Sequence, residues 1–122
     1  MAGLARLKRR PEFLAVAASR RRWVAPGLIL QAVRRPEDSD LPPTPRIGFT
    51  ASRKVGIAVL RNRARRRLKA AAEQVLPLHG AAGFDYVAIA RTETATRPFA
   101  ELVADMTMAM ERLNARKKAG AR

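Results

Sequence analysis

The chain opens with scattered apolar positions among cations. Leu4, Leu7, Phe13, Leu14 and Val16 follow a basic start, and Pro11 sits where a first helical turn tolerates it, so a short helix is predicted from about Arg10 to Ala18. Arg20, Arg21 and Arg22 lead into Trp23, and Gly27 opens the apolar run Leu28 to Val33, strand-like in length and content. Trp23 and that run suggest a hairpin or meander. Residues 36–45 combine four prolines with Glu37, Asp38 and Asp40. Proline has no N–H to give to a sheet ladder, so this stretch is a connector. Beyond it Ile47, Phe49 and Ala51 alternate with Arg46, Gly48, Thr50 and Ser52, as in a strand with one buried face and one small, polar face that could line a groove.

From about Ile57 to Ala72 the period becomes helical. A turn of about 100° per residue puts Ile57, Leu60, Ala64, Leu68 and Ala71 on one stripe, with Asn62, Arg65, Arg66 and Lys69 opposite and Arg61 and Arg67 at the margins. Pro77, Gly80 and Gly83 then mark a loop around His79, and Phe84 to Ala90 reads as a strand. A last helix from about Pro98 to Ala115 carries the stripe Phe99, Leu102, Val103, Met106, Met110 and Leu113, with Met108 off it, and residues 116–122 are expected to form a flexible tail. The expected fold class is therefore α+β, a single domain over residues 1–122 in the order α-β-β-β-α-β-α, with helices packed on one mixed sheet to bury every apolar stripe.

Composition adds the partner. Hydrophobic residues make up 48% of the 122, enough for an ordinary core, but 25 Lys and Arg against 10 Asp and Glu leave a net charge of +15. Such self-repulsion calls for a polyanion; nucleic acid leads, and an anionic membrane surface is the rival. No run is apolar enough to span a bilayer, the start MAGLARLKRRPEF has no convincing signal core, and the absence of cysteine suits a reducing compartment. A soluble, cytoplasmic protein with no membrane partner is expected.

The cations are concentrated. Between Leu41 and Ala72 there is no acidic residue, while Arg46, Arg53, Lys54, Arg61, Arg63, Arg65, Arg66, Arg67 and Lys69 make nine cations. Surface helices ordinarily interleave opposite charges at i,i+4, because like charges there repel. Arginine forks match phosphate oxygens with paired hydrogen bonds, and Asn62 adds an amide that donates and accepts. The break at Gly56 leaves free N–H groups at a positive helix end. A helix that reads base edges in a DNA groove would carry more mixed polar residues, though composition alone does not separate RNA from DNA. Catalytic groups are missing: His79 is the one histidine, Glu37, Asp38 and Asp40 read as turn residues, and no metal-ligand set is apparent. Tyr86 is expected to be buried, and Trp23 is divided between burial and base stacking.

The stretch Ile47 to Lys69, IGFTASRKVGIAVLRNRARRRLK, resembles the signature of the bacterial ribonuclease P protein through Ser52, Arg53, Lys54, Val55, Gly56, Ala58, Val59, Arg61, Asn62 and Arg63. Phe13, the run LILQAV and the strand FDYVAIAR ending at Arg91 extend the likeness. The resemblance implies a single-domain α/β sandwich on a mixed four-stranded sheet with a left-handed βαβ crossover, and a protein subunit that assists a catalytic RNA in endonucleolytic 5′ maturation of tRNA. It assigns RNA docking to Arg53, Lys54, Arg61, Asn62, Arg63, Arg65, Arg66 and Lys69. It assigns a cleft for the 5′ leader of precursor tRNA to Phe13, Ala17, Gln31, Thr50, Ser52 and Arg91. Ala17 and Gln31 stand where the family often has aromatics. The implied partners are the ribonuclease P RNA and precursor tRNA, with no obligatory protein partner. Mg²⁺ would be bound mainly by the RNA and not by the protein alone.

Overall fold

The computed structural model describes residues 4–120, with side chains through Ala115. Helix α1 (Arg10–Ala18) is followed by strands β1 (Arg22–Val24), β2 (Leu28–Arg34) and β3 (Arg46–Thr50), helix α2 (Ala58–His79), strand β4 (Phe84–Ala90) and helix α3 (Phe99–Gly120). The expected element order holds, with 3-10 turns added at Arg53–Val55 and Thr92–Ala95. The expected flexible tail, residues 116–122, lies outside the described side chains, and residues 121–122 lie outside the description altogether.

The strands form one mixed sheet in the order β1-β2-β4-β3, antiparallel except where β3 and β4 run parallel. Parallel neighbours cannot be joined by a hairpin, and α2 supplies the crossover. The outer edge of β3 is covered by the N-terminal segment: the Leu7 N–H donates to the Ile47 carbonyl at 3.1 Å, and the Ile47 N–H to the Ala5 carbonyl at 2.9 Å.

Alternation sorts the sheet into two faces. Leu28, Leu30, Ala32, Ile47, Tyr86 and Ala88 turn toward α2 and α3, forming the main core with Leu68, Leu102, Met106, Met110 and Leu113. Helix α1 covers the other face through Val16, which packs with Leu7, Phe13, Val33 and Val87. Met106 and Met110 are buried and Met108 is exposed, as the stripe predicts, and Tyr86 is fully buried. Trp23 is half-buried against the helix side, with the Arg112 guanidinium 5.7 Å from its ring centre.

Two expectations for α2 fail. Its buried face begins at Ala64, not at Ile57; Ile57, Val59 and Leu60 are 69%, 69% and 39% exposed, because the first turn projects beyond the layer on which the rest packs. At its other end the helix runs through Pro77 to His79, where a loop is predicted. A proline in the last turn removes only the hydrogen bond to the carbonyl of Glu73, an exposed residue, while burial of Val75 and Leu76 holds the turn in place. His79 is consequently a helix-end residue, with Nδ1 3.5 Å from Glu111.

Candidate nucleic-acid interface

The basic stretch folds into a turn and a helix start. The Ser52 hydroxyl accepts from the Lys54 N–H at 3.3 Å, which winds Arg53–Val55 into its 3-10 turn, and Gly56 at φ 139° reverses the chain into α2. Only glycine occupies that φ readily. The Arg61 guanidinium donates back to the Gly56 carbonyl at 3.1 Å, and Arg65 donates to the Asn62 amide oxygen at 2.5 Å.

The nine cations do not share one fate. Arg46, counted in the sequence as lacking a counter-charge, is paired with Asp85 and Glu12. Arg63 donates Nε to the Ala95 carbonyl at 2.8 Å, and Arg67 donates to the carbonyls of Thr94, at 3.0 Å, and Arg97. Those two arginines hold the Thr92–Ala95 turn against α2. Arg53, Lys54, Arg66 and Lys69 are exposed, and their side chains form no hydrogen bond or ion pair among the described residues.

On the α1 face, register sets the predicted cleft residues in rows. Gln31, Val87 and Gly48 stand side by side across β2, β4 and β3; one row on, Val24, Ile29, Ile89 and Thr50 align across all four strands. Helix α1 crosses only one end of this face: Glu12 contacts Arg46 on β3, Phe13 lies on Gly48, and the Ser19 hydroxyl donates to the Ala32 carbonyl on β2 at 2.8 Å. A Cβ on Gly48 would stand 2.5 Å from the Phe13 ring, so the missing side chain is what lets the ring lie on the sheet. Gly48 is buried by it, where the alternation predicted an open polar face.

The second row stays half open, floored by Ile29, Ile89 and Thr50 and edged by Val24 at 51% exposure. Ala17 is exposed on α1 above this face, and Ser52 continues from Thr50 into the basic turn. Arg91 is brought to the end of β4, but its guanidinium ties the β1–β2 turn, donating to the Ala25 carbonyl at 2.7 Å. Thr94 completes that tie, donating from its buried hydroxyl to the Gly27 carbonyl at 2.5 Å while accepting the Arg91 N–H at 2.8 Å.

The comparisons with known proteins come down on one family. The ribonuclease P family profile matches residues 1–114. The ribonuclease P protein component of Paramagnetospirillum magneticum is 52% identical over 117 residues, spanning 96% of this chain and 88% of that protein. The chain belongs to the ribonuclease P protein family. The fold agrees: the RNase P protein from Thermotoga maritima superposes with a TM-score of 0.71 at 21% identity, over 88% of this chain and 96% of that one. The RNase P protein of Staphylococcus aureus gives 0.68 at 21%, over 87% and 92%. Membership in that family supports RNA binding and tRNA processing as its field of action.

What the sequence reading of this ribonuclease P protein missed is the ion cluster behind the cleft. Asp85, buried at the start of β4, accepts from Arg46 at 2.9 and 2.7 Å and from Arg35 at 2.7 Å, and Arg35 also donates to the carbonyls of Phe84, Pro42 and Thr44. The Glu12 carboxylate accepts the N–H groups of Arg9 and Lys8, which hold its pKa below the usual carboxylate value, with Arg46 adding to the effect. The Asp85 partnership in turn raises the Arg46 pKa. An aspartate inside an otherwise apolar strand was the available signal, since a buried carboxylate requires a cation. With Glu12 and Asp85 so engaged, and Asp105 held by Arg97 at 2.6 Å, no group of three His, Asp or Glu among the described residues is arranged to hold a metal ion. Among those residues no helix is long and apolar enough to cross a membrane.

Proposed function

We propose that this chain docks on the ribonuclease P catalytic RNA through the basic turn and the first half of α2, and holds the 5′ leader of precursor tRNA over the open half of the sheet. In this reading it promotes endonucleolytic 5′ maturation of tRNA in the cytoplasm while the RNA supplies the catalytic groups. The observation that carries it is adjacency: the open row of Ile29, Ile89 and Thr50 runs through Ser52 into Arg53 and Lys54, with Arg66 and Lys69 on the helix that follows. A strand bound on the sheet and an RNA bound on the helix would share one edge. Cations left without acidic partners release counterions when phosphate neutralises them, which supplies affinity. The Mg²⁺ that supports phosphodiester hydrolysis would be held mainly by the RNA, since the carboxylates flanking the cleft are bound to arginines.

Leader contact in this reading rests on Phe13, Ala17, Gln31, Thr50 and Ser52. With Ala17 exposed and Phe13 largely committed to Gly48, it draws on Gln31 and Thr50 hydrogen bonds and on the aliphatic floor more than on ring stacking. The test mixes the protein with the cognate RNA at low Mg²⁺ and follows leader removal from precursor tRNA. Cleavage faster than by RNA alone is expected. Binding to the RNA without any enhancement would reduce the chain to a general RNA-binding protein.

A further inference from the structure

The first turn of α2 combines features that do not belong together on a surface exposed only to water. Ile57 and Val59 are each 69% exposed, and Ala58 between them is exposed as well. Leu60 folds back over Gly56, where a Cβ would meet it at 2.8 Å, and Arg61 occupies the Gly56 carbonyl. The loop backbone is thus closed off beneath a small apolar step. No side chain caps the helix, and the first intrahelical N–H engaged beyond Ile57 is that of Arg61, so the donors of Ala58, Val59 and Leu60 face outward. Arg53 and Lys54 precede the step, and Arg61, Asn62 and Arg65 follow it.

We infer that this step, Ile57 with Val59, is a contact for unpaired nucleobases of the docked RNA, seated on the aliphatic side chains while the adjoining phosphates meet the flanking cations. The inference rests on the docking role proposed above and deepens it: it adds a salt-independent component to a surface that otherwise works by charge. Charge complementarity selects the occupant. A second copy of this chain would bring Arg53, Lys54, Arg61 and Arg65 against their own images, with no acidic residue between Leu41 and Ala72 to offset them. Nucleic acid is the partner that presents flat apolar faces and negative charge within one nucleotide.

The test separates the intercept of binding from its salt slope. Affinity of the cognate ribonuclease P RNA is measured across a salt series for the wild type, for Ile57→Ala with Val59→Ala, for Ile57→Leu with Val59→Leu, and for Arg65→Ala. The alanine pair is expected to lose about tenfold at every salt concentration, the scale of burying part of two aliphatic side chains, with an unchanged slope. The leucine pair, which keeps apolar surface, is expected to recover most of that. Alanine is the better helix former at Val59, and at the N-cap Ile57 it replaces another poor capping residue, so the loss does not come from unwinding the turn. Arg65→Ala is expected to flatten the slope. Unchanged affinity of the alanine pair alongside a flattened Arg65→Ala slope overturns the inference and leaves the dock standing. No effect from any variant overturns the dock itself. Self-association of the wild type without RNA, abolished in the alanine pair, would assign the step to a second copy and overturn the inference too.

Discussion

Arg46 meets Asp85 through two parallel hydrogen bonds, Nε to Oδ1 at 2.9 Å and Nη2 to Oδ2 at 2.7 Å, across 39 residues of sequence, and extends its remaining nitrogen 3.0 Å to Glu12. One guanidinium therefore joins β3, β4 and the start of α1. Removing Asp85 would leave Arg35 and Arg46 buried or half-buried without their carboxylate, so Asp85→Ala is expected to cost about 3–5 kcal/mol, read as a fall in the urea midpoint. Glu12 lies nearer the surface and should matter less at neutral pH. Its signature is in acid. Because backbone N–H groups and Arg46 lower its folded pKa, its contribution is complete above the ordinary value of 4.5 and disappears as pH falls through the depressed one. Glu12→Gln should flatten the acid limb of stability; an unaltered limb would show that the carboxylate contributes nothing there.

The Phe13–Gly48 contact makes a second prediction. With the ring atoms 2.5 Å from the position of a Cβ, Gly48→Ala must displace either the ring or α1, at a cost of about 1–3 kcal/mol. In a Phe13→Ala background the same substitution should cost clearly less, so the double-mutant cycle should show coupling. The same displacement should weaken binding of precursor tRNA relative to mature tRNA in the holoenzyme, since α1 is one wall of the proposed cleft. Additive costs in the cycle would show that the ring does not depend on the glycine.

These two contacts mark how far the sequence could be read. The apolar run Leu28–Val33 reads as a strand by length and content without naming its inner face, whereas the stripe Leu102–Met106–Met110 names its own, because a neighbouring layer covers that helix along the stripe. Ile57 continues the α2 stripe, yet no layer lies beneath it; periodicity reports a face but not where the neighbouring layer ends. Pro77 reads as a break, while tertiary burial of Val75 and Leu76 overrides it at a helix end where little is lost. The cation-rich helix was legible as a surface. Which arginines are committed was not, since the carbonyls of Ala95, Thr94 and Arg97 that hold Arg63 and Arg67 lie about thirty residues downstream, and backbone acceptors carry no sequence signal.

Arg66 and Arg67 are neighbours with opposite roles, and their substitutions should show opposite effects. Arg66 is exposed and its side chain makes no hydrogen bond, ion pair or ring contact among the described residues, so Arg66→Ala should leave stability within about 0.5 kcal/mol. If it meets a phosphate, the log–log salt slope of RNA binding should fall by about 0.7–0.9. Arg67 binds two carbonyls and lies over the Phe99 ring at 5.9 Å. Arg67→Ala should lower stability by about 1–3 kcal/mol through the acceptors it leaves unmade, with the salt slope nearly unchanged. Thermal melts paired with salt titrations check both; a flattened slope for Arg67→Ala would move that residue into the RNA contact.

Tyr86 predicts the behaviour in alkali. Its hydroxyl donates to the Asn114 amide oxygen at 2.8 Å and accepts the Ala81 N–H at 2.9 Å, and the Asn114 amide in turn donates to the His79 carbonyl at 2.8 Å, closing the end of α2 onto α3. Burial pushes the phenol pKa above its ordinary 10.0, against the smaller opposing effect of those hydrogen bonds. The folded protein therefore keeps the proton at a pH where the unfolded chain has lost it, and stability falls as pH rises past about 10. Tyr86→Phe should cost about 1–2 kcal/mol at pH 7, by stranding Asn114 and the Ala81 N–H, and should remove this alkaline dependence. Lysines also titrate in that range, but in both proteins alike, so the gap between them isolates the tyrosine. Urea denaturation at pH 7, 9 and 11 should find the gap narrowing toward pH 11; a constant gap would mean that the buried hydroxyl ionises as easily in the fold as in the open chain.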